Sequence, residues 1–147
     1  MPEVVQLRAE HVDDGIVAVP RPRLTWQVAS DHSGWIQTAA QVRVLAPGGW
    51  RESEVIDGPG QVLVDWPFEP LRSRERAEVC VRVWGPDGAS AWSASLTVEA
   101  GLLERSDWTA RVARPVHHED DGCSYLRREF DVSDVVRARL YSTAQGV

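Results

Sequence analysis

The 147-residue sequence predicts an all-β fold, an antiparallel β-sandwich, on three observations. Apolar and polar residues alternate at period two in short runs, as in strands buried on one face. Clusters of Pro, Gly and Asp separate those runs at regular spacing. No stretch of useful length carries the 3.6-residue period of a helix. The strongest run is Leu71 to Ser93, LRSRERAEVCVRVWGPDGASAWS, which reads as two antiparallel strands around a turn. Val79, Val81 and Val83 fall on one face and Glu78, Cys80, Arg82 and Trp84 on the other, so the valine face is the predicted core. Gly85-Pro86-Asp87-Gly88 supplies the reversal: proline presets φ, aspartate bonds its own backbone and glycine takes the left-handed conformation. Trp92 returns on the second strand, placed to lie across Arg82 or Trp84.

The remaining elements follow in order. Val4 to Glu10 predicts a first strand with Val5, Leu7 and Ala9 on one face, turned by Asp13-Asp14-Gly15. Pro20 and Pro22 forbid helix and demand an extended connection into a second strand, where Leu24, Trp26 and Val28 share a face and Trp26 is the expected centre of the core. Asp31 to Gly34 is a turn, and Gln37 to Leu45 a third strand with Ala40, Val42 and Val44 inward, ended by Pro47-Gly48-Gly49. Trp50 to Val55 and Val62 to Trp66 read as shorter strands around the Asp57-Gly58-Pro59-Gly60 turn, before Pro67 and Pro70 lead into the hairpin. About seven short strands with regular turn signals fit an immunoglobulin or fibronectin type III-like sandwich.

Composition excludes several functions. A net charge of −6 offers no basic field for nucleic acid or anionic lipid. No run approaches a membrane span of about 18 apolar residues, and Met1-Pro2-Glu3 lacks the start of a secretory signal. The expectation is a cytoplasmic chain, with secretion open if a leader was removed. All 16 basic residues are Arg and there is no Asn, which points to a GC-rich coding composition rather than an arginine-specific task. Cys80 and Cys123 do not make a disulfide framework and are expected as free thiols.

No catalytic or metal constellation stands out, and no cofactor is expected. Glycoside hydrolysis needs two carboxylates roughly 5–10 Å apart across a pocket, whereas Asp13-Asp14, Asp57, Asp87 and Asp120-Asp121 all have turn neighbours. His117-His118-Glu119-Asp120-Asp121 has metal-ligand residue types without the spacing of a zinc site. Trp35, Trp50 and Trp66 lie at or near turns, off a clear inward register. Exposed indoles serve as platforms for pyranose rings, so these three are the candidate carbohydrate contacts; the alternative is packing at the ends of the sandwich or against a following domain.

Leu24-Thr25-Trp26 resembles the early-strand tryptophan of fibronectin type III modules, and Leu71 through Val83 their late leucine-turn-strand segment. At Ala77 those modules usually carry a corner tyrosine, so here the corner is expected to lean on Leu71 and the arginines around it. Read together, VPRPRLTWQV, QTAAQVRV, LRSRERAEVCVRVWGPDGASAWS, GLLERSDWTARV, YLRREFDV and VRARLYSTAQGV resemble the N-terminal region of bacterial α-L-rhamnosidases. The resemblance implies a fibronectin-like domain over 1–100, a docking segment and linker over 101–124, and the first strands of an incomplete second β-sandwich over 125–147. It implies that the acids for inverting hydrolysis of terminal α-L-rhamnose lie in a later α/α-barrel, leaving this region a non-catalytic accessory that positions or stabilises later domains. The alternative is an autonomous carbohydrate- or protein-binding module. Leu102, Leu103 and Trp108 are expected to pack back on the first domain. Tyr125 to Val132 and Val136 to Ser142 read as two strands whose uncovered edges predict mobility or self-association.

Overall fold

The computed structural model describes residues 1–12, 16–46, 48–113 and 127–143. The chain divides into two units, Met1–Thr109 and Ala110–Val147. In the first, two sheets face each other. Strands β1 (Glu3–Ala9) and β3 (Leu24–Ala29) form one, antiparallel. The other contains β2 (Ile16–Val17), β4 (Ala39–Ala46), β5 (Gly49–Glu52), β6 (Ile56–Asp57), β7 (Arg76–Gly85), β8 (Gly88–Ala89) and β9 (Leu96–Ala100). Its order is β2-β9-β7-β4-β5, with β6 also on β4 and β8 on β7. The chain changes sheet between β1 and β2, and β2 runs parallel to β9.

The core lies between the sheets, where the predicted valine face of β7 meets Trp26. Val79, Val81 and Val83 are buried, as are Ala40, Val42 and Val44 from β4 and Leu24 from β3. Trp26 is only 1% exposed. Its indole N–H donates to Gln37 Oε1 at 3.0 Å, and the Gln37 amide donates to the Gly60 and Gly58 carbonyls at 2.9 and 3.2 Å. A buried indole without a partner would forfeit a hydrogen bond, and Gln37 supplies that partner while fixing the loop after β6.

The structure corrects four expectations. In β1 the inward set is Val4, Leu7 and Ala9 rather than Val5, Leu7 and Ala9, because a bulge intervenes. Val5 pairs with Gln27 and Arg8 with Thr25, so β1 spends one residue more than β3 across this step, and Gln6 takes a left-handed φ of 50°. An extra residue inverts the parity of everything before it. Val62 to Trp66 is not a strand. Leu63 has a φ of 53°, and the segment meets β3 through an isolated bridge between Val64 and Leu24 and a bond from the Leu63 N–H to the Thr25 hydroxyl at 3.0 Å. The strand after the turn at Pro86-Asp87 ends at Ala89 instead of reaching Ser93. Finally, the described residues 127–143 contain no strand, where Tyr125 to Val132 and Val136 to Ser142 were expected to pair. Phe130, Val136 and Leu140 are exposed there, and two strands with no sheet to cover them gain too little from each other to form. Tyr125 and Leu126 lie outside the described residues.

The corner before β7 leans on Leu71, as expected without the tyrosine. Leu71 is buried and its N–H donates to the Pro20 carbonyl at 2.7 Å. The Arg74 N–H reaches the Ala100 and Gly101 carbonyls, each at 3.0 Å, and its guanidinium donates to the Asp107 carbonyl. Asp107 ends a short 3-10 turn, Arg105–Asp107, and bonds the Ser73 hydroxyl. That hydroxyl bond, with the Glu104 N–H, holds the Asp107 carboxyl below its usual range. Leu103 packs against the core, whereas Trp108 remains exposed.

Candidate functional site

The outer face of the large sheet is built by the residues that alternate with the core valines. On β7 these are Glu78, Cys80, Arg82 and Trp84; on β4, Gln41, Arg43 and Leu45; on β5, Trp50 and Glu52. Register sets them side by side: Arg82 opposite Gln41, Cys80 opposite Arg43, Arg43 opposite Glu52, and Leu45 opposite Trp50. The arginines then stack between indoles. The Arg43 guanidinium lies 4.3 Å from the Trp50 ring centroid and 4.5 Å from that of Trp92. Arg82 lies 4.5 Å from Trp92 and 5.0 Å from Trp84. The result is one ladder running Trp50, Arg43, Trp92, Arg82, Trp84. Each cation rests on the negative faces of rings, an attraction of about 0.5–2 kcal/mol per contact.

Polar groups complete it. Arg82 donates to Gln41 Oε1 at 2.6 and 3.0 Å and to Glu52 at 3.4 Å. Gln41 turns its amide to the Ser53 carbonyl at 2.7 Å. Arg43 forms no ion pair among the described residues; besides the two rings, its guanidinium touches Cys80 Sγ at 4.0 Å. Cys80 is a buried free thiol beneath it, and Cys123 lies outside the described residues.

Trp92 reaches this face because the chain there is not a strand. Ser90 and Ser93 each use a backbone N–H to bond a β7 carbonyl, Val83 and Val81 respectively, both at 2.8 Å. The Val83 and Val81 N–H groups donate back, at 3.1 Å, to the serine hydroxyls instead of to backbone carbonyls. Each hydroxyl then donates to the next residue's carbonyl. A step of three residues on this segment thus answers two on β7, and the extra residue lets Trp92 fold over the sheet. Ser53 repeats the geometry against Val42 on the other side.

The three candidate indoles part company. Trp66 is 4% exposed, donates to the Glu69 carbonyl at 2.9 Å and meets Phe68 edge-to-face at 5.6 Å. Trp35 packs against the core with its ring over Gly85, so closely that a β-carbon there would fall 2.4 Å from the indole. His32, three residues earlier, ties the same loop to the Pro86-Asp87 turn through a 3.0 Å contact between Nδ1 and the Asp87 carboxylate. Trp50 alone of the three stands on the outer face, 40% exposed. The expected contact of Trp92 with Arg82 is present. Arg43 as the rung between Trp50 and Trp92 was missed, because it needs the β4–β7 register; the signal available was Arg and Trp at outward parity on neighbouring strands. The His117–Asp121 loop, Asp13 and Asp14 lie outside the described residues, while Asp57 is exposed on β6.

A family model described as the Rha78A-like, N-terminal immunoglobulin domain matches residues 4–104. An α-L-rhamnosidase of Streptomyces avermitilis is 41% identical over 98 residues, covering 61% of this chain and 9% of that protein. One from Formosa agariphila is 32% identical over 147 residues, covering 86% of this chain and 16% of the relative. Among solved structures, Streptomyces avermitilis α-L-rhamnosidase complexed with L-rhamnose superposes with a TM-score of 0.68 at 35% identity, over 75% of this chain and 12% of that one. The native enzyme of Aspergillus terreus gives 0.71 at 32% identity, over 82% and 15%. The chain therefore spans less than a fifth of the length of these relatives.

Proposed function

The chain belongs to the family of Rha78A-like N-terminal immunoglobulin domains, and from that premise we propose that it is a non-catalytic accessory region of an α-L-rhamnosidase, positioning or stabilising later domains of the parent enzyme. The observation that carries the reading is the match itself: an N-terminal domain model accounts for residues 4–104, while relatives named for rhamnosidase activity extend far beyond what the chain covers. The inner faces of both sheets are committed to a packed core, and the outer face carries a stack of cations and indoles with two carboxylates, Glu52 against Arg82 and Glu78 against the Ser95 hydroxyl, which stand on the same side of one sheet rather than facing each other across a bond. Inverting hydrolysis requires two carboxyl groups flanking the bond. In this reading residues 1–100 are the first sandwich, 101–124 a docking segment and linker, and 125–147 the first strands of the next sandwich, which gain their partners from the rest of that domain. Removal of terminal α-L-rhamnose is then the task of an α/α-barrel in the parent.

Two measurements test it. The purified chain should not turn over an aryl α-L-rhamnoside above a buffer control; turnover that survives repurification would sink the proposal. Reading the gene past residue 147 should reveal a second sandwich and an α-helical barrel. Deleting residues 1–109 from that whole product should lower its thermal midpoint, and an unchanged midpoint with unchanged activity would remove the accessory role.

A further inference from the structure

Trp50 stands at the β5 end of the ladder, as Trp84 stands at the other, and Trp50 is the more exposed of the two. One ring face is covered by the Arg43 guanidinium at 4.3 Å, yet the residue remains 40% exposed, so the opposite face and edge are what it presents to solvent. The ring is held in place before any ligand arrives, because Arg43 is itself clamped by Trp92 on its other side. A platform ordered in advance loses little side-chain entropy on binding. Glu52 lies two residues along β5 on the same face, roughly 7 Å away along the strand. Its carboxylate is half exposed and touches Arg82 only at 3.4 Å, leaving acceptor capacity unused.

We propose that Trp50 and Glu52, backed by Arg43 and Arg82, form a ledge that binds a neutral pyranoside: the C–H face of the sugar stacks on the outer face of Trp50, and Glu52 accepts from its hydroxyls. An indole beside a half-engaged carboxylate at this spacing matches a ring that is apolar on its face and hydroxylated at its rim. Neutral rather than acidic sugar is indicated by the charges. Arg82 is already answered by Gln41 and Glu52, Arg43 is sandwiched between rings, and the free lone pairs of Glu52 repel an anion. A protein partner fits less well. Around Trp50 the exposed apolar side chain in register is Leu45, far short of the roughly 1,000 Å² that a specific protein interface buries. The ledge stands whether or not the accessory reading holds, since it needs only the outer face of this domain.

The test follows the seven indole N–H resonances of the full chain during titration with L-rhamnose and D-galactose, with acyclic sorbitol as a control carrying hydroxyls but no ring face. Trp50→Phe assigns the Trp50 resonance. The expected result is a saturable shift of Trp50, absent with sorbitol, and weakened at least about tenfold in Glu52→Gln. The wild-type titration decides the matter even if a variant misfolds. No saturable shift with either sugar, equal response to sorbitol, or a shift confined to indoles other than Trp50 overturns the proposal.

Discussion

The β4–β7 pair carries valines on one side and guanidiniums and indoles on the other, and the two sides hold together by different physics. On the inner side, Trp26 lies among Val79, Val81, Val83 and Leu24, with its one polar atom satisfied by Gln37. The gain there comes from apolar area removed from water and from close packing, so it depends on volume. On the outer side, Trp50, Trp92 and Trp84 remain partly exposed and are spaced by Arg43 and Arg82. The gain there is electrostatic and partly screened, and each rung depends on its neighbours. One residue type therefore does two jobs: inside it fills space, outside it orders long cationic side chains that would otherwise sample many rotamers.

That contrast can be broken by experiment. Trp26→Ala should be the most damaging change, about 3–5 kcal/mol by urea denaturation, because it opens a large cavity and strands the Gln37 amide. A loss no larger than that from an outer indole would mean the inner face is not the foundation of the fold. Gly85→Ala comes next. Its methyl would meet the Trp35 ring at 2.4 Å, so the ring must move off the core or the turn must shift, at a cost of about 1–3 kcal/mol. Pairing it with Trp35→Ala should recover part of the loss, and no recovery would show that Trp35 is not what the methyl strikes.

Trp92→Ala should cost less than Trp26→Ala, and its effect should be non-additive with Arg43→Ala. Both remove the same cation–ring contact, so a double-mutant cycle should return a coupling of about 0.5–2 kcal/mol. Strict additivity would reduce the ladder to coincident neighbours. The smallest effect belongs to an exposed ion pair where β1 ends and β3 begins, Glu10 with Arg23 at 2.7 Å. The Arg23 hydrogen bond holds the Glu10 carboxyl below its ordinary value. A depressed carboxyl contributes stability that is present above its unfolded value and lost as pH falls through the folded one. The stability difference between wild type and Glu10→Gln should therefore be greatest near neutrality and close as the pH drops through and below the carboxylate range. A difference that grows on acidification would reverse the sign of this argument.

Much of the sandwich is legible in the residues because period-two alternation is a local property. Val79, Val81 and Val83, the inward set of β4, and Trp26 as the core indole all follow from a few adjacent positions and the turns that bound them. The Pro86-Asp87 reversal is equally local, since proline and aspartate dictate it from within. The errors arise where one residue's conformation shifts the count. Gln6 at a φ of 50° makes Val4 an inward residue, and nothing in VVQLRA marks which residue will be the extra one. Ser90 and Ser93 look like ordinary strand residues, and only their distance to Val83 and Val81 turns their hydroxyls into substitutes for ladder carbonyls.

The candidate site divides in the same way. The sequence by itself determined that indoles stood near turns, that Arg82 and Trp84 faced away from the valines, and that Trp92 would return close to them, because each statement needs only alternation and one turn. Tertiary structure alone decided which indoles were free. Burial of Trp66 depends on Phe68 and Glu69 folding around it, that of Trp35 on the bare backbone of Gly85, and the exposure of Trp50 on β5 pairing with β4 at the edge of the sheet. Arg43 came to link Trp50 to Trp92 through register among β4, β5 and β7, with Trp92 folded across them. Register joins residues far apart in the chain, and the free energy that selects it comes from the whole buried face rather than from any segment read alone.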